Sequence, residues 1–147
     1  MQEYKKILIP TDGSPFTSKA IEKGISLAKL VGGEVTALYV IDERSFHLVP
    51  KDHMISSMMS MLEQEAQEAL DIVKMQAEES GVPVKTITKE GNPTQIIPEL
   101  GKEHDLIIMA THGRSGLDKV LLGSIAESVI HHAPCPVLLI KVDPSQG

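Results

Sequence analysis

The sequence predicts an α/β fold, an open parallel sheet with helices on both faces. Three observations carry that expectation. Short runs of aliphatic and β-branched residues alternate with longer stretches of three-to-four apolar spacing. Gly, Pro, Asn and Ser punctuate the junctions. The short runs are apolar nearly throughout, as strands covered on both faces must be. Strict alternation specifies parallel strands, because each needs a right-handed crossover to return to the same end of the sheet.

The elements follow in order. Residues 5 to 10, K-K-I-L-I-P, form a short buried strand. T-D-G-S-P then turns the chain, with Ser14 as N-cap and Pro15 in the first helical position. Phe16, Ala20, Gly24, Leu27, Ala28 and Val31 lie on one face of the helix that follows, and Gly32-Gly33 ends it. E-V-T-A-L-Y-V-I at 34 to 41 is the second strand, and residues 42 to 52 are a loop. A long helix is expected from about Asp52 to Ser80, with Ile55, Met58, Met59, Leu62, Ala66, Ala69, Leu70, Val73 and Ala77 as its stripe.

The third strand is expected at 82 to 89. Asn92 then caps a helix with Pro93 in its first turn and Gln95 completing a capping box. D-L-I-I-M-A at 105 to 110 is the fourth strand. S-I-A-E-S-V-I-H-H-A is the last helix, with Ser124 as N-cap and Glu127 three residues on, and V-L-L-I-K-V at 137 to 142 is the last strand.

The 147 residues, without repeat or internal linker, suit one domain, 1–147. Aromatic residues are 3% and Trp is absent, so the core is aliphatic and a base-stacking surface is not expected. A net charge of −6 opposes binding to nucleic acid. The single cysteine, Cys135, has no internal partner, which fits a reducing cytoplasm and leaves an inert thiol as the expectation. The amino terminus lacks a signal-type apolar region, and no run approaches the roughly 20 residues of a membrane span. A cytoplasmic protein with no membrane partner is expected.

In open α/β sheets, ligands sit at the carboxyl ends of the strands where the strand order reverses. Two loops carry suitable chemistry: T-D-G-S after the first strand, and A-T-H-G-R-S-G-L-D-K-V-L-L-G-S, residues 110 to 124, after the fourth. The second ends where helix-start amides lie beside a glycine, a place for an anion. Neither G-x-x-x-x-G-K-[ST] nor a complete dinucleotide fingerprint is present. Read by spacing alone, the segment is either an anion or nucleotide loop or a strand terminus whose glycines only permit turns.

These residues resemble the universal stress proteins, whose ATP-binding members carry G-x-x-G-x9-G-[ST] after the fourth strand. The match falls on Ala110, Gly113, Gly123 and Ser124, with alanine in place of the first glycine and Gly116 outside the spacing. I-L-I-P-T-D-G-S, L-Y-V-I-D, E-G-N-P and H-A-P-C-P-V-L-L-I extend the resemblance over nearly the whole chain. It implies a Rossmann-like five-stranded sheet in the order 3-2-1-4-5, and ATP or another adenine nucleotide, held with Mg²⁺. Pro10, Thr11 and Asp12 would close the first strand, Asp12 facing the ribose and phosphates or the cation. The backbone of Val40 would meet the adenine edge. Ala110, Gly113 and Arg114 would line the sugar and phosphates, and Gly123, Ser124 and Ile125 would supply helix-start amides.

The resemblance also implies a homodimer through the edge strand 137–142. Three functions follow: a nucleotide-dependent stress-response module with little or no turnover, a slow ATP hydrolase, and a nucleotide-free dimeric interaction protein with a vestigial site. The first is favoured, since no base has a partner to orient it beyond Asp12 and His112. Adjacent histidines do not share a helix face, so His131-His132 are read as helix-end cations and not as metal ligands. Met58 and Met59 are expected to serve the core. Met54 and Met61 offer an adaptable surface, a lid or a protein partner site near 42–61.

Overall fold

The computed structural model describes residues 3–46, 53–113 and 121–142. Five parallel strands, β1 (Lys6–Pro10), β2 (Glu34–Asp42), β3 (Val84–Gly91), β4 (Leu106–Ala110) and β5 (Val137–Ile140), form one sheet in the order β3-β2-β1-β4-β5. The crossovers are α1 (Pro15–Val31), α2 (His53–Glu79), α3 (Pro93–Gly101) and α4 (Ser124–His132), with a short 3-10 helix at Glu43–Phe46. This is the doubly wound arrangement expected from the alternation.

The alternation of side chains along the strands assigns the two layers. Ile7, Ile9, Val35, Ala37, Leu106 and Ile108 point to the side covered by α1 and α2, meeting Ile21, Ile25, Leu70 and Val73. Leu8, Leu38, Ile107 and Met109 point to the other side, against Ile97 of α3 and Ala126 and Val129 of α4. β1 and β4 are therefore apolar at every central position, whereas the edge strands β3 and β5 are only half-buried. Met59 packs against the core as expected, and Met61 is exposed. The side chains of Met54 and Ile55 lie outside the described residues.

β2 runs on to Asp42 and β3 to Gly91, and a 3-10 helix forms within the expected loop; three other boundaries differ from the sequence expectation for a backbone reason. β3 begins at Val84 instead of residue 82, because the Val82 amide donates to Ala77 O (2.9 Å) to close α2 and Pro83 has no N–H to give a ladder. β5 stops at Ile140 instead of residue 142: β4 ends at Ala110, opposite Ile140, so Lys141 and Val142 have no strand to pair with. The first residue of α4 is Ser124, so Gly123, and not Ser124, is its N-cap. The Asn92 cap of α3 is present, but its carboxamide accepts from the Thr94 amide (3.0 Å) and hydroxyl (2.8 Å), not in a reciprocal box with Gln95.

Among the described residues, no helix is long and apolar enough to cross a membrane. None of them forms a group of three His, Cys, Asp or Glu side chains able to hold a metal ion.

Candidate functional site

From β1 the chain winds outward through β2 and β3, and from β4 it winds the opposite way to β5. The strand order reverses between β1 and β4, so their carboxyl ends border the crevice of the fold. The β1–α1 loop and residues 111–113 after β4 lie beside each other at those ends.

The β1–α1 loop is fixed by its own side chains. Thr11 N donates to Leu38 O at 2.8 Å, continuing the β1–β2 ladder by one bond. Gly13 takes φ 78°, and its amide donates to Thr11 Oγ1 at 3.1 Å. The Thr17 hydroxyl donates to Ser14 O at 3.0 Å, so Thr11 must be the donor in its 3.0 Å bond to Thr17 Oγ1. Thr11 is thereby turned inward, 5% exposed, and its hydroxyl proton is used for structure. Asp12 makes an Asx turn, Oδ1 accepting from the Ser14 amide at 2.9 Å. Ser14 is the N-cap of α1, yet its hydroxyl makes no capping bond and is buried without a partner.

The β4–α4 loop meets the first at Asp12. A Cβ built on Gly113 would stand 2.8 Å from Asp12 Oδ2, closer than any side-chain carbon normally approaches. Glycine at this position lets the two loops close on each other. Thr111, 8% exposed, is the anchor of the second loop. Its amide donates to Ile140 O (3.0 Å), its carbonyl accepts from Gly123 N (2.7 Å), and Oγ1 accepts from Val142 N (3.0 Å). His112 Nδ1 lies 3.1 Å from the same hydroxyl.

These bonds set the start of α4. Gly123, held by Thr111 O, adopts extended φ −70°, ψ 161°, and a Cβ there would come within 3.2 Å of that carbonyl. The first intrahelical bond is Glu127 N to Gly123 O, 3.0 Å. The amides of Ser124, Ile125 and Ala126 consequently have no intrahelical acceptor, and a glycine cap offers no side chain to cover them. The positive end of the α4 dipole lies beside the crevice.

Val40 completes the rim. Pairing with β1 ends at Pro10–Leu38, whereas pairing with β3 continues to Asp42–Gly91. Leu38 O faces β1, and backbone polar groups alternate sides along a strand, so the Val40 N–H and C=O face the side where β1 has ended. Beyond it, Arg44 Nη2 lies 2.6 Å from Asp42 Oδ2. The hydrogen bond to Asp42, then the Asp42 charge, holds the guanidinium above its ordinary pKa.

Pro10, Thr11, Asp12, Val40, Ala110, Gly113, Gly123, Ser124 and Ile125 all lie at the carboxyl edge of the sheet or at the start of α4. Arg114 lies outside the described residues. Thr17 and Thr111 were not foreseen; only the position of Thr111 inside the A-x-x-G segment hinted at it. His131 and His132 stand at the far end of α4, away from the crevice, where His132 Nδ1 meets Ser128 O at 2.8 Å. Cys135 is half-buried beside Gly101, its pKa raised by burial and then by the charge of Asp105.

A doubly wound α/β sheet with a glycine-lined crevice at its switch point defines a class of small open-sheet α/β proteins. The universal stress protein family model matches residues 3–141, and the chain belongs to that family. Universal stress protein MJ0531 of Methanocaldococcus jannaschii is 46% identical over 140 residues, covering 94% of this chain and 82% of the relative. The solved structure of MJ0577 from the same organism superposes with a TM-score of 0.86 at 35% identity, covering 97% of this chain and 99% of that one. A universal stress protein of Arabidopsis thaliana solved with AMP bound shares the fold, with a TM-score of 0.70 at 19% identity over 96% of this chain and 94% of that one.

Proposed function

We propose that this protein binds ATP, or another adenine nucleotide, in the crevice between β1 and β4, and acts as a cytoplasmic stress-response module whose nucleotide occupancy alters its partners. The observation that carries the reading is the closure of Asp12 on Gly113 beside the start of α4, where the amides of Ser124 and Ile125 have no intrahelical acceptor. One loop brings a carboxylate, the other brings a helix start, and glycine keeps the space between them narrow. A phosphate chain fits the helix start, because helix-start amides and the dipole end both favour an anion. The free edge of Val40 offers a donor and an acceptor side by side, the pattern an adenine edge requires. The AMP held by the plant family member is consistent with an adenine ligand.

Asp12 fits a cation-bridged nucleotide. A carboxylate beside phosphates is repulsive unless it shares a divalent ion or faces ribose hydroxyls, and Mg²⁺ is commonly held by one or two carboxylates together with substrate phosphates. When bound, the ion would neutralise phosphate charge; Asp12 would hold it.

Binding without efficient turnover is the reading for the chemistry. Efficient hydrolysis needs a base oriented by a partner and set beside an attacking water. Among the described residues, the Thr111 hydroxyl beside His112 Nδ1 is buried and already tied to Val142 N, so it orients structure. A homodimer through β5 belongs to the same proposal.

Calorimetric titration of the purified protein with ATP, ADP and AMP in the presence of Mg²⁺, followed by overnight product analysis, tests this. Saturable binding with no product is expected. No saturable binding would leave a dimeric interaction protein with a vestigial site, and turnover abolished by Asp12→Ala or His112→Ala would make the protein a slow hydrolase.

A further inference from the structure

The outer side of α2 carries a pattern that the nucleotide crevice does not use. Its inner side packs Ala66, Leu70, Val73 and Ala77 onto the sheet. On its other side, Met61, Ile72 and Met75 are 64%, 51% and 54% exposed. At about 100° per residue, these three fall within roughly 60° of one another around the helix axis. Glu65, Glu68 and Glu79 fill the same stripe, so the positions run 61, 65, 68, 72, 75, 79. That four-three alternation is the spacing by which one helix receives another.

The charge around this seam selects its occupant. From Ser56 to Glu79, α2 carries Glu63, Glu65, Glu68, Asp71, Glu78 and Glu79 against Lys74 alone. A second copy placed on the seam would set its three glutamates against three more, which opposes self-association there. An anionic lipid surface and nucleic acid are opposed by the same charge. An occupant that covers the methionines and isoleucine while answering the glutamates has apolar residues at three-to-four spacing with Lys or Arg between them. Flexible, polarizable methionine at two of the three apolar positions suits a surface that must adapt to its guest.

We propose that the outer face of α2 is a docking seam for a basic amphipathic helix of a partner protein. The apolar positions Met61, Ile72 and Met75 anchor it, and Glu65, Glu68 and Glu79 set its charge and register. The nucleotide crevice lies on other elements, so the inference stands apart from the reading of that site.

The test uses the full chain and a fluorescein-labelled peptide of about 18 residues, five turns, with leucine at three-to-four spacing and lysine elsewhere. Its comparator is a peptide of the same composition with the order scrambled. Fluorescence anisotropy is expected to show saturable binding of the patterned peptide and at least about tenfold weaker binding of the scrambled one. Ile72→Gln/Met75→Gln and Glu65→Lys/Glu68→Lys should each weaken the patterned peptide by a similar factor, with the thermal midpoint showing that both variants fold. Equal binding of the two peptides, or parent-like binding by both double variants, overturns the proposal. So does sedimentation in which Ile72→Gln/Met75→Gln loses an oligomer that the parent forms, because the seam is then an interface between copies. Co-pelleting with phosphatidylglycerol vesicles that the same variant abolishes makes it a membrane face and likewise overturns it.

Discussion

Asp12 and Gly113 meet across the crevice: the carboxylate Oδ2 lies where a methyl on Gly113 would stand 2.8 Å away. The other oxygen of Asp12 is held by the Ser14 amide at 2.9 Å, so the carboxylate cannot retreat without breaking its turn. Gly113→Ala must therefore rotate Asp12 away from its present direction. The folding cost is small, since one short side chain yields, at most about 1 kcal/mol on the scale of ordinary surface changes. ATP affinity is expected to fall by about tenfold or more, because a group displaced at the ligand loses its contact. Calorimetry beside a thermal melt separates the two effects; unchanged affinity would mean that the crevice does not bind the ligand there.

Thr111 predicts the opposite balance. Thr111→Val keeps the backbone bonds to Ile140 and Gly123 but removes the hydroxyl that accepts from Val142 N and meets His112. A part-buried amide left without an acceptor costs at most about 1–3 kcal/mol. For a chain of this size, that corresponds to roughly 2–10 °C in the melting midpoint. Since Gly123 still binds Thr111 O, the start of α4 is retained and nucleotide affinity should change less than in Gly113→Ala. A variant that melts like the parent but fails to bind ATP would reverse the assignment.

Ala110 stands in the first glycine position of the family motif, at the last pair of the β4–β5 ladder, opposite Ile140. Ala110→Gly removes a methyl at the crevice edge and adds backbone freedom to a strand. The expected result is ATP binding at least as tight as in the parent, with stability lower by about 0.5–1 kcal/mol. Parallel titrations and denaturant melts check both; markedly weaker binding would displace the loop from the ligand.

The strands and the two faces of the sheet were legible because alternation and period are local. What escaped was decided by partners distant in sequence. Ser124 and Glu127 spell a capping box, yet Thr111 O captures the Gly123 amide and the helix starts one residue earlier than the pattern suggests. Val82 reads as strand, but its amide closes α2. The Thr11–Thr17 pair depends on which way two hydroxyls turn across a loop, something no spacing encodes. In the site, the motif puts Gly113 and Gly123 after the fourth strand, but what Gly113 approaches, Asp12 on another loop, is visible only in three dimensions.

Cys135 gives a prediction in pH. Burial first, then the Asp105 charge, raises its thiol pKa above the ordinary value. A raised folded-state pKa favours the protonated form, so the contribution to stability is full below the unfolded thiol's pKa and is lost as pH rises through the folded value. The thiolate is the nucleophile. Alkylation of the folded protein by iodoacetamide should therefore lag that of the urea-unfolded chain at each alkaline pH, and its rate profile should be displaced upward in pH. Mass spectrometry of the modified fraction measures this, and coincident profiles would remove the burial effect.

At the other end of α4 the chain enters β5, which closes one edge of the sheet. Leu138 is 41% exposed there, and Val137, Leu139 and Ile140 are half-buried. An apolar edge strand with unpaired backbone groups on its outer side invites another strand unless something covers it. The same strand of a second copy, related by a two-fold axis, satisfies both the apolar faces and the ladder, because an isologous contact repeats each pairing twice. The parent is therefore expected to sediment as a dimer at micromolar concentration and Leu138→Asp as a monomer, a carboxylate having been set into the shared apolar edge. Among the described residues, the contacts to the crevice loop come from Ile140 O at the end of β5 and from the Val142 amide beyond it, so Leu138→Asp should retain ATP binding. A monomeric parent would leave β5 as a bare edge and refute the dimer.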